Sequence, residues 1–148
     1  MRRLFHILSL TAILILSTGP ASIDAQTFQV TVKNPRTGAT SIMEVYEYDD
    51  VNEKPSFPGG ENELMNFINN KREYPQAAYS KGIQGRVTCS FVVNTNGSIS
   101  HISVLRGVEA SLNKEAMRVL SEMPTWIPGK LNGKTVPTRV IWSVPFRK

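Results

Sequence analysis

The chain has 148 residues, of which 41% are hydrophobic and 20% charged, and it carries a net charge of +5 with one cysteine and two histidines. That length suffices for the core of one small domain. The single cysteine excludes an internal disulfide, and Lys and Arg are scattered, never more than two together, rather than in runs interleaved with aromatics, so no nucleic-acid partner is expected.

Residues 1–25 read as a secretory signal peptide. Arg2 and Arg3 form a positive start, Leu4 to Leu16 is an apolar run, Gly19-Pro20 breaks it, and cleavage is expected after Ala25. The alternative is a retained inner-membrane anchor, but the run is shorter than the ~17–25 residues of a spanning helix. A lipoprotein is disfavoured because Cys89 lies far from that end. Cleavage removes Arg2, Arg3 and Asp24, lowers the net charge by one, and delivers the rest to the periplasm.

Residues 26–54 form an N-terminal extension in which Phe28 to Lys33 and Ile42 to Tyr48 read as two short strands. Asn34-Pro35-Arg36-Thr37-Gly38 joins them, which suggests a β-hairpin. The acidic group Glu44, Glu47, Asp49, Asp50 and Glu53 reads as a solvated face, since no histidine or cysteine accompanies it; no metal site and no cofactor are expected.

Residues 55–148 carry the main pattern. Pro58-Gly59-Gly60 leads into Glu61 to Asn70, and Tyr74-Pro75 opens a short helix near Pro75–Lys81. In the strand Arg86–Val93, Val87, Cys89, Phe91 and Val93 recur at period two. Asn94-Thr95-Asn96-Gly97 tolerates positive φ and folds the next strand, Ile99–Leu105, back as a hairpin. Ser111 is a candidate cap for a helix over Leu112–Met123, whose Leu112, Ala116, Val119, Leu120 and Met123 share one face before Pro124. After Pro128-Gly129-Lys130 and Asn132-Gly133, the segment Val136–Phe146 alternates again, with Val136, Thr138, Val140, Trp142, Val144 and Phe146 on one side. Pro137 and Pro145 mark it as an edge strand. The expected fold is α+β: a three-stranded antiparallel sheet with two or three short helices on one face, and the separate N-terminal hairpin.

In this order and spacing, Tyr74-Pro75, Gly82 and Gly85, Asn96-Gly97, the Ser111 to Met123 helix, Trp126-x-Pro128-Gly129-Lys130 and the terminal strand resemble the C-terminal domain of the TonB family. Pro58-Gly59-Gly60 and Glu61 to Asn70 resemble the extension found in its Bacteroidetes type. The resemblance implies a periplasmic binding domain that engages the short TonB-box peptide of an outer-membrane transporter, in a protein-transport or energy-transducing role. Between Gln26 and Lys54 there is no Pro/Lys-rich tract of the kind that spans the periplasm in a transducer, so the resemblance covers the binding domain alone. An envelope scaffold without a transport role is the second reading, and a membrane-anchored transducer follows if residues 1–25 are retained.

The candidate partner-binding residues lie in two places. Thr138, Arg139, Val140, Ile141, Trp142, Ser143 and Val144 form a run with intact N–H groups between two prolines, at a sheet edge able to accept another strand from a peptide or a second copy. Arg139, Ile141 and Ser143 face outward. Tyr74 and Pro75 are implied by the resemblance to lie near the receptor contact, while a hydrophobic staple over the first helix accounts for them equally well. Trp126 and Trp142 read as core aromatics. No catalytic residues are expected: Cys89 occupies a core-facing strand position and His101 a wetted strand, and neither a phosphate loop nor a Gly-x-Ser-x-Gly elbow occurs.

Overall fold

A computed structural model describes residues 26–148; the expected signal segment and its cleavage site lie outside the described residues. The elements follow in the order β1 (Thr27–Lys33), β2 (Thr40–Glu47), a 3-10 turn (Tyr48–Asp50), α1 (Glu61–Lys71), α2 (Gln76–Ser80), β3 (Gly85–Val93), β4 (Ile99–Arg106), α3 (Ala110–Ser121), β5 (Lys130–Leu131), β6 (Lys134–Thr135) and β7 (Thr138–Phe146).

β3 is the keel. Its Val87, Cys89, Phe91 and Val93 are fully buried on the helix-covered face, where they meet Leu112, Ala116, Val119 and Leu120 of α3 and Leu64 and Ile68 of α1. These α3 positions follow the helical spacing of the sequence, and burying each such side chain contributes about 1.5–3 kcal/mol. β3 pairs antiparallel with β7 over its full length, from Gly85↔Phe146 to Val93↔Thr138. Its other neighbour is β4, across the Asn94–Gly97 turn, where Gly97 takes a φ of +82°.

The sheet has five strands rather than the three expected, in the order β1-β2-β7-β3-β4. The N-terminal hairpin does form, with Thr27↔Tyr46 to Lys33↔Thr40 in register. It also joins the main sheet, because β2 pairs parallel with β7 at Tyr46↔Thr138 and Glu47↔Arg139. β7 is therefore third in the sheet, covered by β2 only at Thr138 and Arg139 and left as an edge beyond them. The outermost strands are β1 and β4, and β4 is irregular, with register breaks that place His101 at a positive φ of 51°. Bulges of this kind blunt an edge against unwanted pairing.

Three smaller details correct or refine the expectation. α3 starts at Ala110, and Glu109 rather than Ser111 is its cap: the Glu109 carboxylate accepts from Ser111 N–H at 3.0 Å. A carboxylate there satisfies a free helix donor and meets the positive end of the dipole, which a hydroxyl does less strongly. Second, Asn132-Gly133 is the turn of a small β5–β6 hairpin, consistent with φ values of 51° and 78° at those two residues. Third, α1 is a full helix of eleven residues.

The helices are tied together by one polar network. Glu115, nearly buried on α3, accepts from Arg118 at 2.7 and 2.8 Å and from the Glu73 N–H at 2.7 Å, while Arg118 also donates to the Lys71 carbonyl at 2.8 Å. Burial works against the charged carboxylate, but the Arg118 hydrogen bonds, the Glu73 N–H and the Arg118 charge together outweigh it and hold the Glu115 pKa below its ordinary value. The end of α1 and the chain leading to Tyr74 are thereby fastened to α3. Among the described residues no helix is long and apolar enough to cross a membrane.

Candidate functional site

β2 leaves β7 after two residue pairs, and the backbone direction shows what this exposes. The Pro137 carbonyl accepts from the Tyr46 N–H at 2.9 Å on the β2 side. Within a strand the N–H and C=O of one residue point to the same side and alternate along the chain, so residues 139, 141, 143 and 145 face this edge while the even-numbered ones bond to β3. Pro145 agrees: it lacks an N–H, and its carbonyl accepts from the Arg72 guanidinium. Pairing with β2 ends at Arg139. Ile141 and Ser143 therefore present both backbone groups along an unpaired stretch between the hairpin and Arg72.

Beside this stretch lies a groove of about 480 Å³, whose floor is made by Phe57, Leu64, Trp126, Val140 and Trp142. It is also lined by Glu47, Tyr48 and Asp49 at the end of β2, by Pro55, Ser56 and Glu61 before and at the start of α1, and by Arg139 and Ile141 of the strand. The loop carrying Phe57 is held by a two-way backbone bridge, Ser56 N–H to Ile127 O at 3.0 Å and Ile127 N–H to Ser56 O at 2.8 Å. That sets Phe57 edge-on to Trp126 at 5.8 Å, and Phe91 packs on the same indole at 5.3 Å. Nε1 of both Trp126 and Trp142 is buried without a hydrogen-bond partner.

The run singled out in the sequence is brought to this groove, with its members in different roles. Thr138 is fully buried, its hydroxyl donating to the Val136 carbonyl at 3.1 Å, and Val140 and Val144 are core residues. Trp142 packs against the core and lines the groove. Ile141 is 52% exposed. Ser143 shares a hydroxyl hydrogen bond with Thr88 at 2.9 Å on the opposite face. Arg139 does face outward, yet it is already engaged: its guanidinium donates to Glu47 at 2.5 and 3.1 Å and lies 4.7 Å from the Phe28 ring centroid.

Tyr74 and Pro75 sit at the other end of β7. The Tyr74 ring is edge-on to Phe146 at 5.5 Å and to Tyr79 at 5.3 Å, and its hydroxyl donates to the Ile83 carbonyl. Pro75 caps α2. The two candidate places thus share a strand but not a pocket. Cys89 and His101 do not assemble a nucleophile pair: Cys89 is fully buried under the helices, opposite Val104 in register. His101 is exposed, lines a shallow recess with Ser90 and Val92 on the other face, and contacts Ser100. Burial pushes the Cys89 thiol up to about 11, away from a reactive thiolate.

Sequence reasoning missed the second wall of the groove, Pro55 to Leu64, and the part played by Tyr48 and Asp49. The available signal was Phe57, an isolated aromatic between Pro55 and Pro58-Gly59-Gly60, where turn residues bring an apolar side chain back onto the fold.

Comparison with known proteins bears on the same region. Protein TonB from two strains of Helicobacter pylori is 30% identical over 96 residues, covering 62% of this chain and 31% and 30% of those proteins. The chain therefore spans about a third of the length of the curated relatives it matches. Two NMR solution structures of the Helicobacter pylori TonB C-terminal domain align with TM-scores of 0.46 and 0.41 at 25% and 28% identity. They cover 58% and 62% of this chain, and 90% and 88% of their own. Residues 70–147, which include α2, α3 and the strands β3 to β7, match the family described as Gram-negative bacterial TonB protein C-terminal, and the chain belongs to that family.

Proposed function

We propose that this domain works in the periplasm by docking a short extended peptide of an outer-membrane TonB-dependent transporter, which adds as a strand to β7 at Ile141 and Ser143. The observation that carries the reading is the pair of free backbone positions beyond the end of β2, on a strand whose other side is anchored to β3. Two N–H and two C=O groups allow about four hydrogen bonds at roughly 1 kcal/mol each, which corresponds to about millimolar affinity before ordering costs. Side-chain contacts supply the remainder, and weak, reversible docking suits a partner that must be released. In this reading Arg139 seats the hairpin, Thr138, Val140, Trp142 and Val144 hold the strand flat against the core, and Tyr74 and Pro75 steady its far end at Phe146.

The test is titration calorimetry of the full chain with a transporter's N-terminal peptide. Ile141→Pro removes an edge-facing N–H and is expected to abolish binding. Ile141→Ala keeps the backbone and is expected to weaken it about fivefold, the loss of roughly 1 kcal/mol of side-chain contact. Circular dichroism checks that the proline variant folds. A folded Ile141→Pro protein that binds like the parent overturns the proposal.

A further inference from the structure

The groove beside Ile141 has a chemistry of its own. Its floor is aromatic and aliphatic, while its rim carries three carboxylates, Glu47, Asp49 and Glu61, against one cation, Arg139. Glu47 and Arg139 neutralise one another at 2.5 Å, whereas Asp49 and Glu61 are exposed and form no ion pair with a described residue. The groove is thus apolar below and net negative above, and it opens onto the unpaired edge of β7.

We infer that this groove selects the docked strand by its side chains, taking a peptide in which a bulky apolar residue is followed two positions later by a lysine or arginine. The inference rests on the strand-addition reading and specifies its partner. A strand laid along Ile141 and Ser143 continues the line of β2, so its side chains alternate between the groove and the opposite face. One that enters the groove meets Phe57, Leu64 and Trp142. A long basic side chain two positions on, and so on the same face, buries its aliphatic stem on that floor and carries its charge to Asp49 and Glu61. The walls that contribute Tyr48, Asp49, Phe57 and Glu61 precede the family-matched residues 70–147.

The experiment measures fluorescence anisotropy of the full chain with two blocked nonapeptides, alternating threonine and valine around a central leucine, one with lysine and one with glutamate at the position two residues after the leucine. The lysine peptide is expected to bind about tenfold tighter at low salt, with the gap narrowing at about 0.5 M salt as the rim charges are screened. The double variant Asp49→Lys, Glu61→Lys is expected to reverse the order while keeping the native circular dichroism spectrum. Equal binding of both peptides that is still lost in Ile141→Pro overturns the groove's selectivity and leaves strand addition standing. Binding of neither peptide overturns both, and accompanying dimerisation in sedimentation assigns the groove to a second copy of the chain.

Discussion

Gly97 and Trp126 are in such close contact that a Cβ on the glycine would lie 2.1 Å from the tryptophan carbonyl oxygen. The Trp126 N–H also donates to the Gly97 carbonyl at 2.8 Å. The hairpin turn between β3 and β4 therefore fixes the indole on the groove floor. Gly97→Ala combines a strained positive φ with a backbone clash, and the two together are expected to cost about 2–4 kcal/mol. Gly133→Ala is the control: its φ is +78°, but nothing lies within 4 Å of the added carbon, so about 1 kcal/mol is expected. Denaturant midpoints compare the two, and tryptophan emission reports the displaced indole in the first only.

The Glu115–Arg118 network gives a pH dependence with a definite sign. The Glu115 pKa is lowered on folding, so its contribution is fully present above the unfolded carboxylate value of ~4.3 and is lost as pH falls through the lower folded value. Glu115→Gln keeps the shape and removes the charge. It is expected to cost about 1–3 kcal/mol at pH 7, in line with hydrogen bonds to charged groups. That gap should close in urea titrations repeated below pH 4; a gap independent of pH would contradict the role assigned to the carboxylate.

Cys89 is expected to react slowly with a maleimide in the native protein and fast after denaturation, because its thiol is buried and its pKa is pushed up to about 11. Cys89→Ala leaves a small void among Val87, Phe91 and the α3 side chains and is expected to cost about 1–2 kcal/mol. Peptide binding should be unaffected, since the thiol lies under the helices and does not line the groove.

The parts of this fold that were legible in the sequence are those set by local period and turn chemistry. Val87 to Val93, the α3 face from Leu112 to Leu120 and the Asn-Gly turn each encode their own conformation in adjacent residues. The fifth-strand architecture was not legible, because it depends on Tyr46 and Glu47 meeting Thr138 and Arg139 from far apart in the chain, and a two-residue parallel contact leaves no periodic trace. The candidate strand was found for its alternation and its prolines, but which of its residues face the edge follows only from the Tyr46–Pro137 hydrogen bond. The groove was hidden for a similar reason: Phe57 and Asp49 become neighbours of Trp142 through irregular loops.

The hairpin's attachment to β7 is narrow enough to be broken selectively. Beyond the two backbone pairs and the burial of Val45, its polar ties to β7 are the partly exposed Arg139–Glu47 ion pair and the Arg139–Phe28 contact. An exposed ion pair contributes at most about 1 kcal/mol, and a cation–π contact about 0.5–1. Arg139→Glu removes both and sets two carboxylates against each other, so a loss of about 1–2 kcal/mol is expected, concentrated in the hairpin. Hydrogen exchange should accelerate across Thr27–Glu47 while β3 and the β3-facing amides of β7 stay protected. The reciprocal change Glu47→Arg, combined with Arg139→Glu, restores opposite charges and should recover much of the protection, which a double-mutant cycle quantifies. Faster exchange spread evenly over β3, β4 and β7 would instead mean that the hairpin is an integral part of the core. In that case the wall formed by Tyr48 and Asp49 could not be loosened without unfolding the domain.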